Sequence, residues 1–181
     1  MALGATIYTL AVTLNDADRG VYESLSFRAA RHPSESEEFL ATRILAYCLE
    51  YTEGLAFSKG GLSEPDMPAL AIRDLTGALQ AWIEVGLPEA ARLHKAAKAA
   101  PRLVIYPHKD VRLLLSRLAA EPPIHRATAI EIYEIDPELL AAFVRLLDRR
   151  MNLDIAISDR QIYLTIGEQS LNGAVLRHAL A

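Results

Sequence analysis

The chain has 181 residues, 51% of them hydrophobic and 23% charged, with a formal net charge of −4. That balance suits one globular domain over residues 1–181, large enough to fold without staples. The charge argues against a generic, strongly basic nucleic-acid binder, and one cysteine, Cys48, leaves no internal disulfide framework or Cys-rich zinc module.

No run approaches the ~18 apolar residues of a membrane span, and the start shows no basic leader, so a cytoplasmic protein is expected. Tyr8, Leu10, Val12 and Leu14 alternate with polar residues, the period of a strand. Asn15 to Gly20 carries turn chemistry, and Val21 to Ala29 alternates again, predicting an antiparallel hairpin. Ser34, with Glu37 three residues on, reads as a capping box opening a helix to about Tyr51. Cys48 falls on that helix's apolar stripe as a buried, inert thiol. Gly54 and Gly60-Gly61 interrupt an irregular stretch.

A strand from about Pro68 to Arg73, a turn at Asp74 to Gly77 and a strand from Ala78 to Val85 follow. Pro88 starts a helix to about Ala99, and Leu103 to Tyr106 is a short apolar run typical of a strand buried on both faces. Asp110 opens a helix to Ala120, Thr128 to Ile135 reads as a strand, and Asp136-Pro137-Glu138 opens a helix to about Arg149. Leu153 to Ile157 and Gln161 to Thr165 form a last hairpin around Ser158 to Arg160. The order β-β-α-β-β-α-β-α-β-α-β-β predicts an α/β fold with a mixed central sheet and flanking helices.

Chemistry is best sought between Glu64 and Lys95. A hairpin closed at Asp74 to Gly77 sets Glu84 roughly opposite residue 67, which brings Asp66 beside it. Two carboxylates on neighbouring strand ends repel unless a cation offsets them, and Mg2+ does so with oxygen ligands. Arg92, Lys95 and Lys98 recur at spacing three on the next helix, where Arg92 and Lys95 reach toward Glu84. A lysine beside a bound metal can orient water or stabilise a phosphoryl transition state. The plainer alternative is a pair of solvated acids and a solvent-facing basic stripe.

Arg28-Ala29-Ala30-Arg31-His32-Pro33-Ser34-Glu35, followed by Arg43-Ile44-Leu45-Ala46-Tyr47, resembles a signature of the YaeQ family. Trp82-Ile83-Glu84-Val85-Gly86-Leu87-Pro88 and Arg92-Leu93-His94-Lys95-Ala96 resemble its later segments, so the likeness spans essentially the whole chain. It implies a compact variant of the PD-(D/E)XK, restriction-endonuclease-like fold, in which two acids bind the metal and a lysine two positions after the second assists. Carried over, Glu84 is the second acid, but Gly86 stands where that lysine would be, and Lys95 is the displaced candidate. Asp66, after Pro65, is favoured as the first acid and Asp74 competes with it; Glu38 is a possible further ligand. Trp82 shares a strand face with Glu84, and either floors the site or packs under a loop. Two functions follow: a Mg2+-dependent nuclease or phosphodiesterase acting on nucleic acid, or a catalytically degenerate nuclease-fold protein acting as a binding or regulatory module.

Overall fold

The structure, a computed structural model, describes residues 4–58 and 66–180. Glu64, Pro65 and the Gly60-Gly61 pair therefore lie outside the described residues. The chain forms a mixed α/β fold of two compact units, Met1–Ile44 with Ile135–Leu176, and Leu45–Glu134 with Arg177–Ala181. Among the described residues no helix is long and apolar enough to cross a membrane.

In the first unit, β1 (Thr6–Asp16) and β2 (Val21–Arg31) form the expected antiparallel hairpin. Tyr8, Leu10, Val12 and Leu14 are buried while the residues between them are exposed. β8 (Arg150–Ser158) and β9 (Gln161–Ile166) form the second predicted hairpin. A further strand, β10 (Gln169–His178), returns antiparallel beside β9. Its polar sequence hides it: only Gly173 and Val175 are buried. β1 joins the two hairpins by pairing parallel to β8, giving the order β2-β1-β8-β9-β10.

Helix α4 (Pro137–Arg145) packs on this sheet, capped by Asp136, whose side chain accepts from the Glu138 N–H. It ends four residues before the predicted Arg149. Gly173 permits the close approach, because a Cβ there would lie 2.7 Å from Asp136 Cβ and 2.8 Å from Leu139 Cβ. Helix α1 (Glu37–Leu49) begins later than predicted: Ser36, not Ser34, caps it by accepting from the Phe39 N–H at 3.1 Å. Ser34 is instead bonded to His32 Nδ1 at 2.7 Å.

The second unit has the order β7-β6-β5-β4-β3. β3 (Leu55–Phe57), too short to announce itself, pairs with β4 (Leu70–Arg73), which pairs antiparallel with β5 (Leu79–Val85). β6 (Arg102–Tyr106) and β7 (Glu131–Ile135) extend the sheet in parallel, as the alternating strands and helices required. Helices α2 (Ala90–Ala99) and α3 (Val111–Ala120) cover one face, burying Leu93, Ala96 and Leu114 against Trp82, Leu103, Ile105 and Ile132. Asp110 caps α3 as read from sequence, accepting from the Arg112 N–H. α2 starts at Ala90 rather than at Pro88. Cys48 is buried.

Candidate functional site

The β4–β5 hairpin decides the register of the predicted site. Asp74 accepts from Thr76 N–H and Oγ1, Ala78 N–H and Gln80 Nε2, which draws Ala78 into the loop. Pairing is irregular beside Arg73, and Leu70 lies opposite Ile83. Glu84 therefore continues toward residue 69, not residue 67, and Asp66 lies before the strand begins. Asp74 serves its own turn, which also holds its carboxyl below the usual range, chiefly through the Thr76 hydroxyl.

From Ala81 onward every residue of β5 is buried, and Glu84 is only 3% exposed. A carboxylate taken from water needs compensating charge and hydrogen bonds. Arg92 on α2 supplies both: its Nε donates to Glu84 Oε2 at 2.5 Å and its Nη2 to Oε1 at 2.9 Å. Trp82 Nε1 donates to Oε1 at 3.0 Å. Trp82 is thus buried beneath the pair, with the guanidinium carbon 5.7 Å from its ring centroid. Arg92 Nη2 also donates to the Met67 carbonyl at 2.7 Å, tying the chain beyond Asp66 to the same corner. The Glu84 hydrogen bonds raise the Arg92 pKa, outweighing its partial burial.

Lys95, one turn along α2, forms an ion pair with Asp66, and both side chains are largely exposed. The Lys95 hydrogen bond, then its charge, holds the Asp66 carboxyl below its ordinary range. The corner therefore gathers Asp66, Trp82, Glu84, Arg92 and Lys95, but as acid–base pairs. Glu38 is exposed on α1 in the first unit. Among the described residues no three His, Cys, Asp or Glu side chains converge as metal ligands. As arranged, these residues do not fit Mg2+, because cationic side chains already occupy both carboxylates. Gly86, the position of the expected lysine, has φ +115° just past the end of β5. That conformation suits glycine and would strain a lysine.

Two charge networks, one buried and one half-buried, escaped the sequence reading. In the first unit, Arg43 Nη2 donates to Glu35 Oε2 at 2.9 Å and to the Ala30 carbonyl at 2.6 Å. Burial pushes the Glu35 carboxyl up and the Arg43 guanidinium down, each only partly offset by the other's charge. In the second unit, Arg102 bridges Glu50 and Glu131, while Tyr106 donates to Glu50 at 2.6 Å and Tyr133 to Glu131 at 2.8 Å. Complete burial drives the Tyr106 hydroxyl well above its ordinary pKa. The only sequence signal for these groups was a charge at an otherwise buried position.

Comparison with known proteins places this chain in a lineage. The model of the YaeQ protein family matches residues 1–175. The chain belongs to the YaeQ family. It is 31% identical over 171 residues to the YaeQ protein of Escherichia coli (strain K12), covering 94% of each chain. The YaeQ protein of Salmonella typhi is 30% identical over the same share. Among solved structures, YaeQ from Xanthomonas axonopodis pv. citri superposes with a TM-score of 0.87 at 29% identity, covering 98% of this chain and 99% of that one. YaeQ from Pseudomonas syringae gives 0.84 at 31% identity, covering 96% and 95%.

Proposed function

We propose that this member of the YaeQ family is a catalytically degenerate relative of the PD-(D/E)XK nucleases, working in the cytoplasm as a binding module rather than as a phosphodiesterase. The observation that carries this reading is the Arg92 guanidinium held on both oxygens of Glu84. A protein cation stands where a metal-dependent enzyme needs an ion. The backbone of Gly86 supports the same reading, since it disfavours the lysine that such chemistry uses. A Mg2+-dependent nuclease would have to move Arg92 off Glu84 and Lys95 off Asp66 before either acid could accept a metal.

Calorimetric titration with Mg2+ and Mn2+ separates the two. Wild type is expected to give no binding heat at millimolar ion. Arg92→Met, which frees Glu84, is expected to bind weakly at most, because one carboxylate is a poor site. Binding by wild type that disappears in Glu84→Gln, with the variant still folded by circular dichroism, would overturn this reading in favour of the nuclease.

A further inference from the structure

The sheet of the first unit has one buried face and one open face. On the open side, the β1–β2 and β1–β8 registers align Arg28, Thr9 and Arg150 in one row across three strands. Farther along the same face, Tyr22, Asn15, Ala156 and Tyr163 form a second row across four strands. Small hydroxyl and amide residues, Thr13, Ser24 and Asn152 among them, occupy the rows between. The two rows stand about 20 Å apart at ~3.3 Å per residue, and the tyrosines about 14 Å apart at ~4.8 Å per strand.

Two features distinguish this face from an ordinary solvated sheet. The first is aromatic: Tyr22 is 62% exposed and Tyr163 49% exposed, both on the open side. The second is charge. Several arginines elsewhere are held in ion pairs: Arg19 with Asp16, Arg92 with Glu84, Arg102 with Glu50 and Glu131, Arg112 with Asp110. Among the described residues, Arg28, Arg149 and Arg150 have no ion pair, and the three line one open groove with Thr9 and Asp148. In a chain of net charge −4, this is a local excess of unspent cations. The exposed Asp154 lies between the two rows, nearer the tyrosines, and can accept from a base N–H.

We propose that this face binds a single-stranded segment of nucleic acid, with phosphates on Arg28, Arg149 and Arg150 and unpaired bases stacked on Tyr22 and Tyr163. Guanidinium groups recognise phosphate through paired N–H donors, and exposed aromatic rings on a sheet stack bases of any sequence. Duplex bases are paired and stacked on one another, so they are not free to stack on these rings. The assignment rests on the binding-module reading and names its partner, but uses none of the residues around Glu84.

The test is fluorescence anisotropy of labelled single-stranded RNA and DNA oligomers about ten nucleotides long, at low salt. Wild type is expected to bind single strands at least tenfold more tightly than the duplex of the same sequence. Tyr22→Ala and Tyr163→Ala should each weaken binding roughly tenfold. The double variant Arg28→Ala/Arg150→Ala should weaken it further and flatten the log–log salt slope by about 1.4. Lys109→Ala, in the second unit, should change nothing. No binding of single strands overturns the proposal. So does equal binding of duplex or heparin, or binding indifferent to the tyrosine and arginine variants. Those failures without metal heat in calorimetry leave the module reading standing; metal heat lost in Glu84→Gln sinks that reading instead.

Discussion

Glu84 and Asp66 meet opposite environments within one corner. Glu84 is buried and its oxygens are filled by Arg92 and Trp82, whereas Asp66 and Lys95 pair in water. Breaking a buried pair strands its partner, and breaking an exposed one costs little. Glu84→Ala is therefore expected to lower stability by about 3 kcal/mol, and Lys95→Ala by no more than about 0.5 kcal/mol, as read from urea denaturation. A second residue-scale effect concerns acid. Burial alone would raise the Glu131 carboxyl, but hydrogen bonds from Arg102 and Tyr133 and the Arg102 charge hold it below its ordinary value of 4.5. A depressed carboxyl stabilises the fold above its unfolded pKa, and that contribution is lost as pH falls through the folded one. Glu131→Gln should therefore make the loss of stability below pH 4.5 less steep, seen in chemical denaturation at stepped pH.

At the scale of elements, the start of α1 offers a clean contrast. The sequence offers two serines, Ser34 and Ser36, and only Ser36 caps the helix. Ser36→Ala should cost about 1 kcal/mol, while Ser34→Ala should leave the melting temperature nearly unchanged. Capping-box spacing favoured Ser34 because it stands three residues before Glu37; the burial of Glu35 against Arg43 instead holds the segment out of the helix. Strong patterns were legible: the β1–β2 hairpin, the buried β6 and the Asp110 and Asp136 caps all appear where alternation and capping chemistry put them. Elements set by tertiary context were not. β3 has three residues, and β10 is mostly polar. The β4–β5 register turned on how many residues Asp74 could gather into its loop, which spacing alone does not reveal.

For the whole molecule, the α/β class and the parallel β5–β6–β7 run followed from element order. The residues of the candidate corner were also readable, but their pairing was not. An arginine eight positions after a strand glutamate looks the same in sequence whether it neutralises that acid or faces solvent. The parallel partnership of β1 with β8 was beyond any local signal, since about 130 residues separate them. That partnership bears on how the polypeptide is made. The second unit is nearly contiguous in the chain, from Leu45 to Glu134, and lies within the stretch that separates the two strands. During synthesis β1 and β2 leave the ribosome before β8, the parallel neighbour of β1, which emerges on the order of ten seconds later. Through that interval the apolar side of the hairpin, lined by Leu10, Val12 and Leu14, has no finished sheet to join. The nascent chain thus exposes a chaperone-recognisable surface on this hairpin, and a translational pause before residue 150 would lengthen its exposure.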